Sequence, residues 1–207
     1  MKNMKKILVL ALAALLLVAV GVGGTLAWLT DSTSMITNTF TESDIDIELS
    51  ETSTTMKFQM IPSVDITKDP KVTVKAGSEA CYVFVKITEA GEVTVGAETK
   101  KFDDFLTYAY DTGWLVLAGQ GTKTATENDT YVIYKAQAAT KSDTDLQILA
   151  DNKVSVKDSV NKAMMDALNG DNYPTLTFQA WAIQQANGAS TFTPADAWAK
   201  LNPTTAP

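Results

Sequence analysis

From residue 44 onward the apolar positions of this chain fall mostly on a period of two. Ile45, Ile47 and Leu49 alternate with Asp44, Asp46 and Glu48, the pattern of a half-buried strand. Val72 and Val74 alternate with lysines, whereas Tyr82 to Ile87 is apolar on both faces, as in a central strand. Trp114 to Leu117, Tyr131 to Tyr134 and Leu176 to Ile183 are rich in β-branched and aromatic residues and extend the series. Turn chemistry separates these runs at Ala76-Gly77-Ser78, Ala90-Gly91-Glu92, Asp111-Thr112-Gly113 and Gly119-Gln120-Gly121. A period near 3.6 appears twice. Val160, Ala163, Met164, Ala167 and Leu168 predict a helix over 158–168, with Asn169-Gly170 as a left-handed stop. Thr193-Pro194 is a cap followed by proline at the first helical position, ahead of Ala197, Trp198 and Leu201 on one face. Lys101 to Tyr110 fits a short helix or a loop. Many short strands with few helices predict a mainly β fold: an antiparallel β-sandwich, jelly-roll-like, with two or so short helices.

The first forty residues follow a different rule. Lysines at 2, 5 and 6 precede an apolar stretch from Ile7 to Val22, then Gly23, Gly24, Thr25, Leu26 and Ala27, then the polar Thr30-Asp31-Ser32. A basic start, an apolar helix and small residues before a polar region form the layout of a secretory signal peptide. Thr25 and Ala27 suit the narrow subsites of a signal peptidase, so cleavage is expected after Ala27, leaving Trp28 as the new terminus. An uncleaved anchor is the competing reading, because Ile7 to Leu29 is apolar enough to cross a bilayer in the ~20 residues that a spanning helix needs. Thr30 to Phe40 is polar and reads as a flexible arm. The expected organisation is therefore a signal peptide (1–27), an N-terminal arm (28–40) and a sandwich domain (41–207).

Composition then narrows function. The chain has 17 basic residues, none of them arginine, no histidine and 24 acids, for a formal charge of −7. Loss of residues 1–27 removes three lysines, leaving 14 against 24 acids and a charge of −10. Such a chain is repelled by nucleic acid and anionic membranes, and bidentate arginine recognition of phosphate is ruled out. Membrane contact is expected only through the signal segment, before cleavage. Cys81 is the single cysteine. No intramolecular disulfide can form, and its strand-like surroundings predict a buried, inert thiol.

Several segments together resemble the TasA/camelysin family of exported matrix proteins of Gram-positive bacteria. Gly23-Gly-Thr-Leu-Ala-Trp-Leu-Thr-Asp31 is similar to the region read by that family's dedicated, SipW-type signal peptidase. Asn38-Thr-Phe-Thr-Glu-Ser-Asp-Ile-Asp-Ile47 resembles its first strand, and Met60-Ile-Pro-Ser63 with Lys68-Asp-Pro-Lys-Val72 and Ala80-Cys-Tyr-Val-Phe-Val-Lys-Ile87 its central block. Phe178 to Gln185, followed by the helix at 195–201, resembles a late strand and helix of many members. Ser43, Ser63 and Phe84 depart from the family pattern, replacing two glycines and an arginine. The resemblance implies a secreted sandwich that assembles into extracellular fibres, with itself or a related fibre subunit as partner.

Chemistry is sparse by comparison. Camelysin-like members are described as surface metalloproteases, but catalytic zinc calls for histidine ligands, as in H-E-x-x-H, and there are none. Without histidine there is also no Ser–His or Cys–His pair, and no G-x-S-x-G elbow is present. No catalytic residue or cofactor is expected. Asp44, Asp46 and Glu48 project from one strand face; they either keep a sheet edge charged and soluble or contribute to a weak calcium site. Asp103, Asp104, Asp143 and Asp145 read as loop acids. Trp114, Tyr131, Tyr134, Trp181 and Trp198 form either a core or a glycan-stacking groove. The reading that unites these features is mechanical. Once cleavage frees it, the arm adds as a strand to a neighbour's sheet edge, anchored by Trp28, Leu29, Met35, Ile36 and Phe40, and head-to-tail repetition builds a filament. The alternative is a monomeric cell-surface adhesin or glycan-binding module, with 28–40 a mere spacer. The acceptor edge is not legible.

Overall fold

The computed structural model describes residues 44–52, 60–124, 128–170, 172–188 and 190–201, all within the unit Glu42–Pro207. The signal segment, the cleavage residues Thr25, Ala27 and Trp28, and the arm with Leu29, Met35, Ile36 and Phe40 lie outside the described residues. In chain order the strands are β1 (Ile47–Ser50), β2 (Asp65–Thr67), β3 (Lys71–Val74), β4 (Cys81–Ala90), β5 (Glu92–Val95), β6 (Glu98–Lys101), β7 (Leu106–Thr107), β8 (Leu115–Val116), β9 (Thr130–Gln137), β10 (Thr144–Gln147), β11 (Lys153–Val156), β12 (Thr175–Gln184), β13 (Ala186–Asn187) and β14 (Ser190–Thr191). The helices are α1 (Phe102–Phe105), α2 (Lys162–Ala167) and α3 (Pro194–Leu201).

All pairings among the described strands are antiparallel. The largest sheet has the order β12-β4-β9-β8; two three-stranded sheets run β1-β3-β10 and β2-β11-β7, and β5-β6 and β13-β14 are hairpins. This is the mainly β, sandwich-like class that the period-two pattern predicts. Its core is filled by the central strands. Val72 and Val74 of β3, Val83, Val85 and Ile87 of β4, and Tyr131 and Ile133 of β9 are all fully buried in one cluster. Each aliphatic side chain so buried contributes about 1.5–3 kcal/mol.

Tyr82 to Ile87 is central, as its two apolar faces require: β4 lies between β12 and β9 in registers of ten and eight residue pairs. Its second face is also covered. Phe84 joins Leu117, Val132, Ala197 and Trp198 in a smaller cluster where α3 lies on the sheet. Helix α3 starts as predicted, with the Thr193 hydroxyl accepting from the Asp196 backbone N–H (3.2 Å) and donating to its carboxylate (2.7 Å).

The other predicted helix is shorter than its periodicity. Residues 158–160 form a turn, and the Asn161 side chain caps α2 by accepting from the N–H groups of Ala163 and Met164. Asn169-Gly170 is not a left-handed stop. Leu168 leaves the helix extended, and Asn172 takes over the end, its Nδ2 donating to the Ala167 carbonyl. A side-chain amide does here what the Gly motif was expected to do. Lys101 to Tyr110 contains the short helix α1, and the strand β7, which neither reading foresaw, follows it directly. The glycine turns hold. Gly121 has φ +82°, and a Cβ there would stand 2.1 Å from the Thr130 carbonyl, so only glycine lets this loop pass the start of β9.

Candidate functional site

Strand addition needs an unpaired, unprotected edge, and soluble proteins usually blunt theirs by shortness, charge or proline. The outer strands of the β1-β3-β10 sheet have four residues each and carry charge. Glu48 of β1 pairs with Lys75 at 2.6 Å, and Asp145 of β10 pairs with Lys71 at 2.6 Å and accepts from the Thr73 hydroxyl at 2.7 Å. Those contacts hold the Asp145 carboxyl below its ordinary range, the Lys71 hydrogen bond first and the Thr73 hydroxyl second. In the β2-β11-β7 sheet, β7 has two residues, and Asp65 of β2 meets Ser155 at 2.5 Å and Lys153 at 3.0 Å. At one side of the largest sheet β8 is two residues long, and Leu117 and Gln120 carry the contact onward along β9.

β12 has none of these devices. It runs ten residues, Thr-Leu-Thr-Phe-Gln-Ala-Trp-Ala-Ile-Gln, with no charge and no proline. One side hydrogen-bonds β4 along its whole length, and the other has no ladder partner among the described residues. β1 comes within 8 Å of it, Cα to Cα, without pairing. Its side chains alternate as the sandwich demands. Leu176, Phe178, Ala180 and Ala182 pack on the main core, while Trp181 and Ile183 lie against the cluster beneath α3. Thr175, Thr177 and Gln179 are exposed. They are polar and uncharged.

The aromatic residues considered for glycan stacking are largely consumed by packing. Trp114 and Tyr131 are buried in the main core. Trp198, 8 % exposed, crosses Trp181 at 5.4 Å in a T-shaped contact, meets Phe84 at 5.2 Å and donates its indole N–H to Gln120 Oε1 at 2.9 Å. Beside it lies an open groove of about 570 Å³ lined by Lys86, Gln120, Thr130, Gln179, Trp181 and Trp198. Trp198 is nearly spent on packing, and Trp181, half-buried, is the other ring that lines the groove.

Comparison with family models, with curated proteins and with solved structures gave no match. The site is therefore read from its own geometry.

Asp44, Asp46 and Glu48 are all exposed, and they alternate with Ile45 and Ile47, which pack on the core. Asp44 and Asp46 precede β1, where their carbonyls accept from the N–H groups of Glu79 and Lys75, and only Glu48 lies in the strand, on Lys75. Asp103 is not a loop acid: it sits in α1, buried, and meets Glu89 and Asp129 in a carboxylate cluster with Lys123. Sequence reasoning missed that cluster. The available signal was alternation, because Glu89 continues the inner-face series Cys81, Val83, Val85, Ile87. Cys81 is fully buried, and burial pushes its thiol up to about 11, as expected for an inert cysteine. Among the described residues no helix is long and apolar enough to cross a membrane.

Proposed function

We propose that this chain is a secreted structural subunit of extracellular fibres, joined head-to-tail by strand addition along β12. The observation that carries the reading is the ten-residue outer strand without charge or proline, where the other described outer strands are short or charged. Residues 28–40 are the donor, with Trp28, Leu29, Met35, Ile36 and Phe40 as anchors. Their thirteen residues are enough to run the length of the ten in β12. Backbone hydrogen bonds give such a joint its affinity, and side chains on alternate positions set its register. Donor and acceptor are different segments of the chain, so the joint is head-to-tail, and repeated without closing it gives a filament. The signal-peptide layout and the resemblance to the TasA/camelysin family point the same way. Cleavage after Ala27 releases the arm from its membrane helix and so licenses assembly outside the cell.

The test is electron microscopy of residues 28–207 beside a chain beginning at Thr41. Filaments from the first and dispersed particles from the second are expected. Dispersed particles from both would overturn the reading.

A further inference from the structure

Glu89 occupies a position that strand alternation reserves for a core side chain. On β4, Cys81, Val83, Val85 and Ile87 are fully buried on the inner face, and Glu89, next in that series, is 3 % exposed. Its backbone N–H donates to the carbonyl of Asp129 at 2.8 Å, and the N–H of Asp129 returns to Glu89 Oε2 at 3.3 Å. Asp103, from α1, is also 3 % exposed. One carboxylate oxygen from each of Glu89, Asp103 and Asp129 lies within 4.8 Å of the other two.

The partners present do not satisfy this cluster. Lys123 Nζ donates to Glu89 Oε1 at 2.5 Å and Asp103 Oδ1 at 2.9 Å. The Tyr108 hydroxyl donates to Glu89 Oε1 at 2.7 Å, and Thr124 serves Asp129 through its N–H and hydroxyl. Asp103 Oδ2 is sealed from solvent and has no hydrogen-bond partner. Three acids against one lysine leave a formal excess of two negative charges. A carboxylate oxygen buried without a partner is a large desolvation cost that native proteins rarely leave uncompensated.

We propose that Glu89, Asp103 and Asp129 bind a divalent cation, calcium in preference to magnesium, with Asp103 Oδ2 as its first ligand. Two added positive charges cancel the excess while Lys123 remains. Hard oxygen donors select this class of ion. Calcium accepts irregular sites built from protein oxygens, whereas magnesium holds to a near-ideal octahedron and keeps several waters, so a buried carboxylate cluster suits calcium. The site does not rest on the fibre reading, because it is argued from the carboxylate geometry alone.

Terbium, a calcium mimic, tests it directly, since the Tyr108 and Tyr131 hydroxyls, 2.7 Å apart, adjoin Glu89 and can sensitise its luminescence. The full chain is expected to give tyrosine-excited terbium emission that calcium displaces and magnesium displaces less well. At calcium a hundredfold above its Kd, the melting temperature is expected to rise by about 5–10 °C over chelator. Asp103→Asn should remove both responses while the far-ultraviolet circular dichroism stays native. Lys123→Met should melt lower than the parent in chelator and gain more from calcium. Absence of emission, with equal melting in calcium and chelator for the parent and Lys123→Met, would overturn the assignment. So would undiminished terbium binding by a folded Asp103→Asn.

Discussion

The outer strands of this sandwich solve the same problem in opposite ways. β1 and β10 flank the sheet that contains β3; each has four residues, and each holds a carboxylate on a lysine. β12 flanks the sheet that contains β4, is ten residues long and holds no ion pair. The difference does not come from packing, because β12 is well anchored by Phe178 and Ala180 on one face and Trp181 and Ile183 on the other. What distinguishes β12 among the described outer strands is a long edge with no charge and no proline. An edge is a liability where association is unwanted and an asset where a strand is meant to arrive.

The comparison breaks most visibly if its packing half fails. Trp198→Ala removes the side chain that seats α3 on Trp181 and Phe84, and should cost about 3–5 kcal/mol, lowering the melting temperature by on the order of 10 °C in calorimetry. A change below about 1 kcal/mol would mean that α3 does not hold this face. Next in size is the edge itself. Lysines at the exposed Thr177 and Gln179 should reduce filament yield at least tenfold, seen by sedimentation, while the melting temperature moves by no more than ~2 °C. Unchanged yield would show that β12 is not the acceptor.

The guarded edges give a smaller effect of opposite sign. Replacing Glu48, Lys75, Lys71 and Asp145 together by threonine should raise turbidity through lateral association, because two further edges become neutral. No rise in turbidity would show that charge is not what guards them.

The smallest effect is the response to pH. Asp65, Asp69, Glu98 and Asp145 are held below their ordinary range, Asp65 chiefly by Ser155, Asp69 by Thr52, Glu98 by Lys100 and Asp145 by Lys71. A lowered folded-state value contributes stability above the ordinary carboxylate range of about 4, and that contribution is lost as pH falls through the folded values. Melting should therefore stay level from pH 7 to about 5 and decline below about 4. Lys75, Lys100 and Lys153 are raised above 10.5, first by Glu48, Glu98 and Asp65, so a second decline belongs above that pH. β12 carries no titratable group, so seeded elongation should be level from pH 5 to about 7, below the range in which the α-amino group expected at Trp28 titrates.

Period-two alternation was enough to mark β3, β4 and β9, which carry runs of buried residues, and β12, whose inward residues are half-buried. It could not mark β2, β7 or β10, whose two to four residues are held as strands by their neighbours rather than by pattern. The end of α2 was misread because Asn172, beyond the helix, satisfies the carbonyl that Gly170 was expected to serve. The edge was hidden for a different reason. An uncharged strand reads the same whether it is central or outermost, and only the pairing of β4 with both β9 and β12 leaves β12 outside. The carboxylate cluster assembles residues up to 40 positions apart, which no local spacing reveals.

The central claim is that the arm of one subunit lies along β12 of the next, and disulfide trapping tests it most directly. Chains carrying Ile36→Cys would be mixed with chains carrying Thr175→Cys, Thr177→Cys or Gln179→Cys, then oxidised after filaments form. Cys81 stays out of the reaction because it is buried, with a thiol pushed up to about 11. The account predicts covalent dimers joining the two kinds of chain, strongest at one of the three positions. Filaments that form normally and yield no such dimer at any of them would contradict it.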